Sequence, residues 1–148
     1  MTPPPAWGYF DTSVLVKRYV RERGSPRAKT LLGRHRFLCS AIAPLEVVSA
    51  LCRRRAMGDL AERDLSAILS RMREDRAYWE LVEVSPLVLD KAEELVQRAG
   101  LRVLDAIHVA SAIIFQTASG IRIPFITADV RQRDAARQLA LAVTWVGA

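Results

Sequence analysis

Short apolar runs alternate with longer amphipathic stretches along the whole chain, and that alternation leaves few folds open. Trp7, Gly8, Tyr9 and Phe10 form an apolar, aromatic run that stops at Asp11-Thr12-Ser13. The following Val14, Leu15, Lys17, Arg18, Tyr19 and Val20 have the spacing of a helix. Gly24-Ser25-Pro26 breaks the chain, residues 27–32 suit a short helix, and residues 37–42 are compact and apolar enough for a second strand. Pro44 favours a first helical turn, Gly58 stops that helix after about Met57, and residues 61–76 carry Leu65, Ile68, Leu69 and Met72 at helical spacing, which together predict a helical hairpin. Residues 81–84 read as a third strand, and a helix follows from Pro86 to Ala99, where Gly100 ends it. Residues 105–116 predict a mostly buried helix, 124–127 a strand, 130–139 a helix and 142–146 a last strand. Strands separated by helices require parallel pairing through right-handed crossovers. The expected architecture is therefore α/β, a three-layer α/β/α sandwich around a mostly parallel sheet of four to five strands.

A chain of 148 residues fits one domain, expected to span 1–148 with residues 1–6, which include three consecutive prolines, as a flexible tail. At this size about 70% of the unfolded surface can be buried without disulfide staples. With 51% hydrophobic and 26% charged residues, the composition excludes disordered, collagen-like and disulfide-rich classes. Cys39 and Cys52, the two cysteines, lack CxxC spacing and fall in apolar stretches, so they are expected to be reduced core thiols. The greasiest stretch, residues 106–115, is interrupted by His108 and Ser111 and falls short of the ~18 apolar residues a membrane helix needs. A cytoplasmic location without membrane contact is the expectation. Lys and Arg total 22 against 16 acids, a net charge of +6 and a pI near 10.0, which favours a polyanionic partner without saying which.

Four acids stand where chemistry is expected. Ligands of open parallel sheets gather beyond the carboxyl ends of the strands, and Asp11 ends the first predicted strand while Asp129 follows another. Glu46 interrupts the apolar run of Ile42, Ala43, Leu45, Val47, Val48, Ala50 and Leu51, and its own helix face offers no cation before Arg53. Asp105 opens the other apolar helix beside Leu104 and Ala106. Acids among core residues are costly to ionise unless paired or bound to a cation. Carboxylate oxygens suit a hard cation such as Mg²⁺ or Mn²⁺, and such ions activate water for phosphodiester hydrolysis. Taken singly, each acid has a structural use as well: Asp11 and Asp105 as helix caps, Glu46 as a partner of Arg53 or solvent, Asp129 as a turn or cap residue.

The segments FDTSVLVKRY (10–19), SAIAPLEVVSAL (40–51), VLDAIHVASA (103–112) and FITADVRQRDAA (125–136) resemble, in order and across nearly the whole chain, the four motif regions of PIN-domain proteins, most closely the VapC-type toxins. That resemblance implies a metal-dependent endoribonuclease, the toxin of a toxin–antitoxin pair, with Asp11, Glu46, Asp105 and Asp129 as catalytic and metal-holding residues. It further implies an RNA substrate, a cognate antitoxin and a homodimer. Thr12, Ser13 and Thr127, beside the proposed ligands, are expected to support them by orienting water or a phosphate oxygen, with helix capping the alternative for Ser13.

Asp134 competes with Asp129 for the fourth position, but five residues further on it should turn to another helical face. His108, three residues after Asp105, is expected to be satisfied by a backbone carbonyl or a polar neighbour rather than to bind metal, and His35 to lie on a surface loop. Arg53, Arg54, Arg55, Arg71, Arg73 and Arg76 suit a phosphate-tracking ridge or a solvated helix face. Two other functions fit parts of the pattern. A phosphatase of the haloacid dehalogenase type would use Asp11 as nucleophile, but Ser13 stands where its second acid belongs. A noncatalytic RNA- or protein-binding module would leave the acids purely structural and insensitive to metal.

Overall fold

The computed structural model describes residues 2–147, so Met1 of the expected tail lies outside the described residues. Five strands form one parallel sheet: β1 (Trp7–Phe10), β2 (Arg36–Ser40), β3 (Glu80–Val82), β4 (Pro124–Thr127) and β5 (Ala142–Trp145), in the order β3-β2-β1-β4-β5. Seven helices cover it among the described residues: α1 (Thr12–Tyr19), α2 (Ser25–Arg34), α3 (Ala43–Ala56), α4 (Glu62–Asp75), α5 (Pro86–Ala99), α6 (Val103–Ser119) and α7 (Val130–Gln138). Residues 2–5 are exposed without regular structure, whereas the Ala6 carbonyl already accepts from the Arg36 amide at 2.9 Å and so begins the β1–β2 pairing.

The two-residue period of the strands divides the core. Tyr9, Leu38 and Phe125 point to one face and pack with α5, α6 and α7 through Val88, Leu95, Val109 and Ala136. Phe10, Cys39 and Ile126 point to the other, where α1 to α4 supply Val14, Leu15, Ala28, Leu31, Val47, Leu51, Leu65, Ile68 and Met72. Each fully buried Leu or Phe in these layers is worth roughly 1.5–3 kcal/mol of transfer free energy. Helices on both faces make this the expected three-layer sandwich. Residues of α3 and α4 share a cluster, as the hairpin reading required.

Several boundaries differ from the sequence expectation. β2 ends at Ser40 rather than 42, because the Ile42 amide turns back onto Ser40 Oγ at 3.2 Å and starts α3. β3 covers 80–82 rather than 81–84, a short edge strand paired to β2 alone. α6 begins at Val103 with Arg102 as its N-cap, since Gly100 ends α5 in the left-handed conformation and only two residues are needed to turn the chain. Asp105 therefore sits inside the first turn instead of capping the helix. His35 is half-buried rather than a surface loop residue: it ends α2, its Nδ1 lies 2.9 Å from the Leu31 carbonyl, and its ring meets Phe10 edge-on. Cys39 is buried and Cys52 partly so, both unpaired thiols. Among the described residues no single helix is long and apolar enough to cross a membrane.

Candidate active site

The strand order reverses at β1: the chain leaves β1 towards β2 and β3 on one side, and returns to add β4 and β5 on the other. Crossovers diverging from two adjacent strand ends leave a crevice beyond them, which is where open parallel sheets bind ligands. Asp11 follows β1, and Thr127 and Asp129 end and follow β4. Helices α3 and α6 close the same crevice from the flanks. The resulting cleft, about 550 Å³, is lined by Asp11, Glu46, Asp105 and Asp129 together with Thr12, Ser13, Gln132 and Arg53, and by an apolar rim that includes Leu45 and Leu104. All four sequence-nominated acids thus face one space. Asp134 does not: it is exposed on α7 and its Oδ1 lies 2.9 Å from Arg133 Nε.

Asp11 is completely buried. It caps α1, with Val14 N 3.4 Å from Oδ1, so the helix dipole favours its charge. Ser13 Oγ donates to Oδ1 at 2.6 Å and Thr127 Oγ1 donates to Oδ2 at 2.9 Å. Each hydroxyl also accepts a backbone amide, Ala128 N at 3.0 Å on Ser13 and Asp129 N at 2.9 Å on Thr127, so both tie Asp11 to the β4–α7 loop. Ser13 is a bridge between two loops and not a helix cap. Burial pushes the Asp11 carboxyl up to about 6; His108 and the two hydroxyls pull it down and the negative charge of Asp129 pushes it up.

Glu46 reaches the cleft from the first turn of α3, and its partners are neither Arg53 nor solvent alone. Thr12 Oγ1 donates to its Oε1 at 2.7 Å, and His108 Nε2 meets the same oxygen at 2.6 Å. Burial raises the Glu46 carboxyl, but the His108 hydrogen bond and charge and the Thr12 hydroxyl together hold it below its ordinary value. Periodicity along α3 could not show this, because His108 comes from α6, 62 positions away. His108 is 1% exposed, and its Nδ1 lies 2.8 Å from Tyr9 Oη. Polar neighbours satisfy it, as expected.

Asp129 caps α7, accepting Gln132 N at 3.0 Å on Oδ1. The Gln132 side chain is buried and turns across the cleft so that Nε2 donates to Asp105 Oδ1 at 2.9 Å. This orientation of the amide follows from the carboxylate, which would repel the amide oxygen. Gln132 Oε1 is left without a hydrogen-bond partner. Gln132 and His108 are the residues whose part in the site the sequence reading missed; the only local signal was the position of Gln132 three residues after a helix-capping Asp.

Among the described residues no Lys or Arg forms an ion pair with any of the four acids. Nor are three acidic, histidine or cysteine side chains gathered tightly enough there to hold one ion by themselves. The four acids share a cleft rather than a single point, in keeping with the mutual repulsion that Asp129 exerts on Asp11. The donors suit a hard divalent cation, which takes one or two carboxylates and completes its shell with water and substrate phosphate. A buried Asp11 held between two donor hydroxyls, with no Lys or Arg paired to it among the described residues, is the strongest sign of that fit. A second cleft of about 470 Å³, at the amino ends of β1, β2 and β3, lacks this character: of its acids Asp75 and Glu80, Asp75 is already bound by Arg18 and Tyr19.

Residues 8–138 match the family model of the PIN domain. The chain belongs to the PIN domain family. A relative from Mycobacterium tuberculosis (strain ATCC 25618 / H37Rv), Ribonuclease VapC46, is 37% identical over 136 residues, covering 91% of this chain and 94% of the relative. Ribonuclease VapC45 of the same species (strain CDC 1551 / Oshkosh) is 35% identical over 106 residues, 71% of this chain and 74% of its own. Among solved structures, a toxin-antitoxin complex from Klebsiella pneumoniae aligns with a TM-score of 0.61 at 20% identity, over 84% of this chain and 88% of that one. VapBC2 from Rickettsia felis, bound to a DNA fragment from its promoter, aligns with a TM-score of 0.61 at 13% identity, over 92% and 96%. At such identities the structures show a common fold. The PIN match ends with α7, so β5, which pairs only with β4, completes the sheet outside it.

Proposed function

We propose that this PIN domain is a divalent-metal-dependent endoribonuclease, the toxin of a toxin–antitoxin pair, and that Asp11, Glu46, Asp105 and Asp129 carry its chemistry. The observation that supports it most is four acids, without arginine or lysine partners among the described residues, lining one cleft at the switch point of the sheet, one of them wholly buried. The ribonuclease named at 37% identity supplies the reaction class. The net charge of +6 favours a polyanionic partner, a class to which RNA belongs.

Mg²⁺ or Mn²⁺, when bound, would supply positive charge for the phosphate oxygens and an activated water for in-line attack. The protein's own groups do the rest. Ser13 and Thr127 hold both oxygens of Asp11 in place, and Gln132 holds one oxygen of Asp105. Thr12 presents its hydroxyl at the cleft wall between Asp11 and Glu46. Arg53, exposed at the mouth and bonded only weakly to Ser49 at 3.3 Å, is placed to grip a phosphate of the entering strand. The apolar rim of Leu45, 73% exposed, and Leu104, 48% exposed, offers a surface for an antitoxin or a second copy of the chain.

The test is incubation of the purified protein with mixed cellular RNA, with and without chelator, and sequencing of the new 5′ ends. Cleavage that stops on chelation and in Asp11→Asn is expected. Wild-type cleavage by Asp11→Asn would remove the proposal, and absence of any thermal response to millimolar Mg²⁺ or Mn²⁺ would favour the noncatalytic module.

A further inference from the structure

The buried polar chain behind Glu46 has a directionality that its distances define. His108 Nε2 lies 2.6 Å from Glu46 Oε1, a carboxylate oxygen that can only accept, so Nε2 carries a proton. The other ring nitrogen is then free to accept from Tyr9 Oη at 2.8 Å. Ser111, buried beside Tyr9, gives its hydroxyl proton to the Ile107 carbonyl at 2.6 Å. Tyr9 and His108 are 0% and 1% exposed, and the Tyr9 ring is stacked on Phe125 with centroids 5.3 Å apart, so neither can swing away.

At the cleft end, two donors converge on one oxygen. Thr12 Oγ1 and His108 Nε2 both occupy Glu46 Oε1, whereas Oε2 accepts no hydrogen bond among the described residues. A glutamate on the first turn of a helix has three rotatable bonds and would otherwise sample many positions, at an entropy cost on binding. Here that freedom is already removed.

We propose that His108, oriented by Tyr9, is the positioning residue that ties up Glu46 Oε1 and thereby presents Oε2 alone to the cation of the cleft. The inference rests on the reading of the cleft as a metal-dependent nuclease site, and it assigns the tyrosine–histidine pair a role beyond filling the core. Partners that orient a ligand commonly change metal affinity by 10–100-fold when removed.

Two variants separate donation from packing. His108→Gln keeps an amide N–H able to reach Glu46; His108→Met keeps bulk without a donor. Mn²⁺ affinity, followed by electron paramagnetic resonance, should fall about tenfold or more in His108→Met and stay within about threefold of wild type in His108→Gln. RNA cleavage should follow the same order through kcat, with KM little changed. Wild-type Mn²⁺ affinity in His108→Met, or equal losses in the two variants, would overturn the proposal. Should either variant fail to fold, long-range ¹H–¹⁵N spectra of the wild-type protein decide, with His35→Gln used to tell the two histidines apart. A proton on Nε2 of His108 supports the assignment and a bare Nε2 ends it. The nuclease reading fails separately, by chelator-insensitive cleavage or by full activity in Asp11→Asn.

Discussion

Replacing Asp11 with asparagine should make the cation-free protein more stable, and by an amount that grows with pH. The carboxyl is raised from 3.8 to about 6 chiefly by burial. A group whose folded value is raised contributes stability that is fully present below about 4, where both states are protonated. That stability is lost as pH rises towards and through about 6. The shift of roughly 2 units corresponds to about 3 kcal/mol, as an order of magnitude. Asparagine escapes this cost, but the hydroxyls of Ser13 and Thr127, which donate to the carboxylate and accept backbone amides, cannot both find an acceptor on an amide. One weakened hydrogen bond offsets about 1 kcal/mol. That offset does not depend on pH, so the advantage of Asp11→Asn should widen by about 1.4 kcal/mol between pH 5 and pH 8. For a chain of this length the widening corresponds to roughly 3–5 °C in the gap between the two Tm values. Thermal unfolding in a chelating buffer, followed by circular dichroism at the two pH values, measures it. Taking the difference between variant and wild type cancels titrations common to both. A gap that stays constant, or that narrows as pH rises, would refute the claim that an ionised Asp11 is strained without a cation. Added Mg²⁺ should close the gap by stabilising the wild type only.

Glu46 should behave with the opposite sign: its carboxyl is held low by His108 and Thr12 against burial, so Glu46→Gln should lower Tm in chelator at neutral pH, and the wild-type contribution should fade as pH drops below the ordinary carboxylate range. Leu51→Ala, at a fully buried position between α3 and α4, should cost about 2–5 kcal/mol by chemical denaturation without changing the metal response. Gly8→Ala should destabilise the sheet, because an added Cβ would stand 2.9 Å from Ile126 Cδ1 and 3.0 Å from His35 Cγ; an unchanged denaturation midpoint would contradict that crowding. Cys39, buried and with its thiol pushed up by that burial, should resist a thiol reagent in the native protein and react only on unfolding.

Taken alone, the sequence determined the alternation of strands and helices, the parallel sheet that alternation demands, and the identity of the acids. All five strands and seven helices lie within a few residues of their expected positions, because two-residue and 3.6-residue periods, prolines in first turns and glycines after last turns are local signals. Asp11 and Asp129 could be assigned to strand ends on the same basis. What remained illegible was everything that joins distant segments. Nothing near Glu46 in the chain announces His108, nothing near Asp105 announces Gln132, and a histidine behind two arginine neighbours gave no sign that His35 would turn inward against Phe10. Side-chain hydrogen bonds are short-ranged and directional, so which donor reaches which carboxylate is decided only when α3, α6 and α7 settle against the sheet. The chain encodes where its negative charges are; the packed layers decide how each is held, how much of it water can reach, and therefore how strongly it calls for a cation.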